Sequence, residues 1–191
     1  MRYSSCQHRA GSAPYLGRST SLSSAAFTRE NAPAASPVDI ICEMIERLVV
    51  DTNVVVAGVC SSRGASFVVL RGILEKAIRP SVSVPLFLEY ESALLDPRIK
   101  RLHRLTTADI ETLLDGMALC IAPVRLHYLW RPQLRDPDDE MVLETAVNAG
   151  ARRILTFNQR DFLPAAKQFG VKVVRPGDFV LENRAQLIGL M

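Results

Sequence analysis

The side chains best able to do chemistry are five oxygen bearers spread along the chain: Asp51, Glu89, Asp139, Asn158 and Asp161. The first interrupts "RLVVDTNVVVAG", Arg47 to Gly58, a run of β-branched apolar residues in which an ionised carboxylate is costly to bury unless something pairs with it. Asp51 therefore either caps a strand end or holds a cation. Taken singly, the other acids have ordinary readings. Asp138 and Asp139 suit a helix cap, Glu89 an exposed helix face, and "NQRDF" a polar loop with a cap. Brought to one place they mean something different, because clustered carboxylates raise one another's pKa and call for a compensating cation. Such oxygen donors suit Mg²⁺ or Mn²⁺, which keep several waters and take a few carboxylates plus a substrate phosphate. The chemistry expected is hydrolysis of phosphodiesters by metal-activated water. The sequence holds no G-x-S-x-G elbow, no plausible Cys-His pair and no G-x-x-x-x-G-K-[ST] loop, so no protein nucleophile competes. Asp136 and Asp138 are secondary candidates, since acids at a helix start gain from the helix dipole whatever their function. Glu91 would lie about 200° around a helix from Glu89 and cannot face the same ion.

A parallel sheet could bring these residues together. "RLVVD" reads as a buried strand and "GASFVVLRGILEKA" as a helix burying Phe67, Leu70, Leu74 and Ala77. "RPSVSV" is a second strand, followed by "PLFLEYESALL" with Pro85 in the first turn and Phe87, Tyr90 and Leu94 on one stripe. A short basic helix, "DPRIKRLHRL", precedes a helix capped by Thr106 or Thr107 that buries Ile110, Leu113, Leu114 and Met117. "CIAPV" is a short strand, and a loop from Arg125 to Arg135 leads into "DPDDEMVLETAVNAG", a helix burying Val142, Ala146 and Ala149 and ending at Gly150. "RRILTF" and "VKVV" are strands flanking the helix "QRDFLPAAKQFG". The tail turns at Pro176-Gly177 and ends as a helix. Alternating strands and helices imply a three-layer α/β/α fold with a mostly parallel central sheet. Ligand sites in such sheets lie at the carboxyl ends of the strands. Asp51, Glu89, Asp139 and the pair Asn158 and Asp161 all follow predicted strands or open helices on that edge.

With 191 residues, 48% of them hydrophobic, the chain can build one full-sized core. The net charge of +3 is compatible with an anionic partner but does not demand one. Cys6, Cys42, Cys60 and Cys120 form no C-x-x-C pair, which points to reduced thiols in a cytoplasm. No apolar run reaches the roughly 20 residues of a membrane span. Residues 1–46 are predicted to be a disordered extension ahead of a domain at 47–191. Met1 to Pro37 is rich in Ser and Ala and has Glu30 as its only acid, which superficially resembles an organellar transit peptide. "MIERLVVDTN" makes Met44 a natural alternative start. His103, His127, Trp130 and the basic clusters Lys100, Arg101, Arg104 and Arg152, Arg153 are read as surface or packing residues, with base stacking by Trp130 and phosphate binding by the clusters as the functional alternatives.

Four segments, "VVDTNVVVAG", "SVPLFLEYESALLDP", "DPDDEMVLETAVNAGARRILTFNQRDF" and "VKVVRPGDFV", together resemble the PIN-domain ribonucleases, especially the VapC-like toxins of toxin-antitoxin pairs. The likeness runs from about Arg47 to about Glu182. It implies an Mg²⁺- or Mn²⁺-dependent endoribonuclease with RNA as substrate, a small antitoxin protein as partner and a homodimer as an allowed assembly. It further implies metal binding by Asp51, with Asn53 close behind it, by Glu89 and by Asp139. The fourth family position falls on Asn158 where many members carry Asp, and Asp161 is the carboxylate that could substitute for it. Asn offers a neutral oxygen that orients water or ligates weakly. That departure keeps open a catalytically silent module that binds RNA or protein. A haloacid-dehalogenase-type phosphatase ranks low, because Asn53 stands where its general acid would be.

Overall fold

The computed structural model describes residues 47–190. The expected disorder of 1–46 and the alternative start at Met44 lie outside the described residues, as does Met191. The strands are β1 (Leu48–Val50), β2 (Ser81–Ser83), β3 (Ala122–Val124), β4 (Arg153–Leu155) and β5 (Lys172–Val174). Two ladders form, one ordered β1-β4-β5 and one joining β2 to β3, and every pairing is parallel. Val49 lies opposite Ile154, which lies opposite Val173, while Val50, Leu155 and Val174 form the neighbouring row. All six side chains are buried, as a parallel sheet covered by helices on both faces requires. The mostly parallel α/β/α arrangement read from the sequence is the one observed.

The helices are α1 (Thr52–Cys60), α2 (Ala65–Leu74), α3 (Val84–Leu95), α4 (Pro97–His103), α5 (Thr107–Ala118), α6 (Glu140–Ala149), α7 (Gln159–Gln168), α8 (Pro176–Glu182) and α9 (Arg184–Leu187), with a last 3-10 turn at Ile188–Leu190. The sequence reading contains no counterpart of α1, because "TNVVVAGVC" is dominated by valines that favour strands. Burial of Val54 and Val55 and capping by Asp51 override that weak preference. Gly58 lets α2 pack closely on α1 at a bend of 98°, since a Cβ there would sit 2.8 Å from the Ser66 carbonyl oxygen. The stripe expected on α2 is rotated: Val69, Leu70 and Ile73 are buried, Phe67 is half-buried and Leu74 is exposed. The helix stops at Leu74, so Ala77 lies beyond the face on which the periodicity places it.

The Pro176-Gly177 pair is no turn; Pro176 occupies the first turn of α8, where its missing N–H costs nothing. Leu86, Tyr90 and Leu94 form the buried stripe of α3 and Phe87 is half-buried, while Thr106 and Asp109 cap α5 reciprocally. Gly150, at φ 58, ends α6, whose Ala149 is only half-buried because it lies in the last turn. His103 bonds the Leu94 carbonyl (3.1 Å) and accepts from the Leu105 amide (3.0 Å), a structural role.

β2 lies alongside β1, yet no hydrogen-bonded ladder joins them among the described residues. Side-chain hydroxyls bridge that boundary. The Tyr90 phenol, from the helix after β2, donates to the Val50 carbonyl at the end of β1. Ser83, at the end of β2, bonds Thr145 of α6 at 2.6 Å, and Thr145 in turn donates to the Met141 carbonyl at 2.7 Å. Both hydroxyls of that pair are buried.

Candidate active site

Asp51 follows β1 directly and has an amide bonded to the Leu155 carbonyl, so the parallel ladder carries its carboxylate to the same edge as the end of β4. Its side chain is 3% exposed. It caps α1 by accepting from the Asn53 amide at 3.4 Å, so the cap reading is realised. A cap alone does not require such burial, and two further bonds hold the group, with a third joining their donors. Thr156, just past β4, donates to Asp51 Oδ2 at 2.5 Å, and Asn53 Nδ2 donates to the same oxygen at 2.7 Å and to Thr156 Oγ1 at 3.2 Å. Burial still dominates and raises the Asp51 pKa above the ordinary carboxylate value, with these hydrogen bonds opposing the rise.

The same Thr156 hydroxyl accepts from the Asn158 amide at 2.9 Å, which turns the chain so that Asn158 Nδ2 donates to Asp139 Oδ2 at 3.0 Å. Asn158 stands at the N-cap position of α7 without making a side-chain cap bond, and Asp139 likewise makes none at the start of α6. The cap reading of Asp139 is therefore overturned: its side chain bonds that of Asn158 instead. Asp139 has a pKa pushed up to about 6, first by burial, then by the charges of Asp51, Asp136 and Asp161, with the Asn158 bond opposing. Glu89, on the first two turns of α3, is raised by burial and by the charges of Asp138 and Asp51. All five candidate residues thus gather at the carboxyl edge of the strands, with Asp136 and Asp138 nearby. Asn53 and Asn158 act there as donors toward carboxylates.

No group of three or more His, Cys, Asp or Glu side chains among the described residues is arranged to hold a metal ion by itself. The carboxylates share a field without closing on one point.

Sequence reasoning gave Thr156 no role, although it is fully buried and touches Asp51, Asn53 and Asn158. It also passed over two buried acids of α6. Glu144 is paired with Arg131 through two bonds of 2.9 and 3.0 Å, and Glu140 Oε1 accepts from the Gln133 and Leu134 amides at 2.5 and 2.8 Å. These contacts fasten the loop before Asp139 onto α6, leaving Glu140 Oε2 buried without a partner. Their spacing carries no signal of burial, since two glutamates four residues apart on a helix read as solvent-facing. Trp130 lies 5.8 Å from the Phe169 ring and 6.2 Å from Tyr128, centroid to centroid, packing in part at 45% exposure.

No single helix among the described residues is long and apolar enough to cross a membrane. No curated protein matches the chain. A family model described as a PIN domain matches residues 47–160, more than half of the 191, and includes Asp51, Glu89, Asp139 and Asn158 while stopping one residue short of Asp161. Domains of this kind are in general nucleases, and with its parallel strands carrying acidic side chains to one edge, this chain belongs to the PIN-domain family.

Proposed function

We propose that the protein is an endoribonuclease dependent on Mg²⁺ or Mn²⁺, acting in the cytoplasm as the toxin of a toxin-antitoxin pair and held inactive by a small antitoxin protein. The observation that carries the nuclease reading is the placement of a buried Asp51 at the strand edge close enough to both Glu89 and Asp139 for its charge to raise the pKa of each. A protein gains nothing in stability from pressing like charges together, so their gathering suits a cation. The donor chemistry, carboxylate oxygen throughout, fits a small hard ion that keeps most of its waters and needs only one or two direct carboxylates. Asp51, Glu89, Asp139 and Asp161 are the residues that would hold it. When bound, the ion supplies Lewis-acid activation of water and neutralises charge on a phosphodiester.

The chain's own residues prepare the site. Thr156 and Asn53 fix the Asp51 carboxylate by donating to Oδ2, and Asn158 fixes Asp139 by donating to its Oδ2. Fixed carboxylates lose little freedom when an ion arrives, which favours binding. Asp161, in the first turn of α7, adds negative charge near Asp139 in place of the carboxylate that Asn158 lacks.

A second reading, a silent module binding RNA or protein, is favoured by the absence, among the described residues, of a closed three-residue metal group and by the neutral Asn158. Cleavage of single-stranded RNA with Mg²⁺ or Mn²⁺ separates the two. Wild type is expected to cleave, and Asp51→Ala and Asp139→Ala are expected to lose activity while remaining folded. Equal cleavage by wild type and Asp51→Ala, or none by wild type, sinks the nuclease reading.

A further inference from the structure

Next to the acidic edge lies a cavity of about 580 Å³ whose lining includes Arg63, Ser66, Phe157, Arg175 and Asp178. Phe157 stands between Thr156 and Asn158, the two residues that bond Asp51 and Asp139, and the residue is 50% exposed. Its amide donates to Asn53 Oδ1 at 3.3 Å, so the backbone under the ring is tied to the site. A large aromatic side chain left half in water beside a hydrolytic site is a face on which a base can stack.

The far side of the cavity is built for an anion. The first turn of α2, at Gly64, Ala65 and Ser66, lines it, and no side chain caps that helix. Its first-turn amides and the positive end of the helix dipole favour a phosphate. A second observation supports this independently: Ser66 is 7% exposed and its hydroxyl has no hydrogen-bond partner. The guanidinium groups of Arg63 and Arg175 are exposed on the same lining, and neither has an acidic partner within ion-pair distance among the described residues. Asp178 is the one acid on the lining, against two arginines.

Another basic cavity, about 430 Å³ and lined by Arg47, Arg79 and Arg125, carries no such argument. It lies at the starts of the strands, and Arg47 and Arg79 already donate to the Ala149 and Ile121 carbonyls at 3.4 and 3.5 Å.

We propose that the cavity between Phe157 and the start of α2 is the subsite for single-stranded RNA flanking the cleaved bond, with a base stacked on Phe157 and the next phosphate held by Arg63, Arg175 and the α2 N-terminus. Resting on the nuclease reading, it adds the residues outside the acidic edge that hold the RNA. A base reaches an aromatic face only when unpaired, because an A-form duplex keeps its bases stacked.

The test uses the full-length protein in two assays. In EDTA, binding of a fluorescent single-stranded oligoribonucleotide is measured by anisotropy at several salt concentrations. Phe157→Leu is expected to weaken binding on the order of tenfold. Arg63→Ala with Arg175→Ala is expected to reduce the slope of log affinity against log salt by about 0.7 per lost phosphate contact. With Mg²⁺ or Mn²⁺ present, the same variants are expected to raise KM on that oligonucleotide with little change in kcat. All these positions are exposed, and unchanged melting temperatures verify folding. Unchanged affinity and salt slope in the variants overturn the subsite, even if wild type cleaves RNA. Binding that the variants weaken, with no cleavage by wild type, keeps the RNA subsite and removes the nuclease reading. Unchanged RNA affinity with lost binding of a protein partner assigns the surface to protein and overturns the proposal.

Discussion

Replacing Thr156 by Val removes one oxygen and leaves the shape of a fully buried side chain nearly unchanged. The hydroxyl donates to Asp51 Oδ2 at 2.5 Å and accepts from Asn53 Nδ2 and the Asn158 amide, so the substitution deletes a hydrogen bond to a charged acceptor that is itself 3% exposed, with two weaker bonds beside it. Bonds of that class contribute about 1.5 to 3 kcal/mol. Asn53 Nδ2 still donates to the same oxygen, which argues for the middle of the range, about 2 kcal/mol. For a domain of roughly 150 residues that corresponds to a melting temperature lower by about 4 to 8 °C. The pH dependence carries a sign. The Thr156 bond lowers the Asp51 pKa against the larger rise from burial, so it stabilises the ionised form in the folded state. The difference between wild type and Thr156→Val is therefore full at neutral pH, and it shrinks as pH falls through the raised folded pKa of Asp51 and the carboxylate protonates in both proteins. Circular dichroism melts from neutral to acidic pH read both effects. A variant that melts with wild type at neutral pH, or a difference that grows on acidification, refutes the reasoning.

Asp139→Asn removes a charge whose folded pKa is about 6 against an ordinary 3.8, so the wild-type penalty is absent below the lower value and grows as pH rises to the upper. After allowance for solvent screening of this half-buried group, the variant is expected to gain about 1 kcal/mol above pH 6 in metal-free buffer, read by urea denaturation. Mn²⁺ at 100 times its Kd is expected to stabilise wild type by about 2.7 kcal/mol above that pH and to do far less for Asp139→Asn, since protons compete with the ion for the carboxylates. Arg131→Ala is expected to cost about 3 kcal/mol by leaving Glu144, 1% exposed on its side chain, as a buried unpaired charge, whereas joint replacement by Met and Leu recovers most of it. Gly58→Ala forces α1 and α2 apart, because the new Cβ meets backbone at 2.8 Å, and is expected to lower stability by about 1 to 3 kcal/mol.

The strands and most helices were legible because each carries its own periodicity and its own cap, as Thr106 and Gly150 illustrate. Helix α1 was not, because its three consecutive valines say strand locally and only Asp51 and the burial of Val54 and Val55 decide otherwise. In the candidate site, the acids announced themselves through charge in apolar surroundings. The groups that orient them did not. Thr156 looks like any strand threonine until β4 is laid beside β1 and its hydroxyl meets a residue 105 positions away. Glu140 and Glu144 were hidden for a related reason: charged residues on a helix read as solvent-facing unless the loop that covers them is known.

The boundary between the two ladders runs through the middle of the acidic edge. Asp51 and Asn158 ride on the β1-β4 side, while Glu89 comes from the helix that follows β2 and is next in sequence to Tyr90, whose phenol grips the last carbonyl of β1. The gap separating the carboxylates is thus spanned by a fastener that can be loosened without touching either ladder or any acid. Altering that one hydroxyl would change how the two halves of the acidic edge sit against each other while leaving every carboxylate in place.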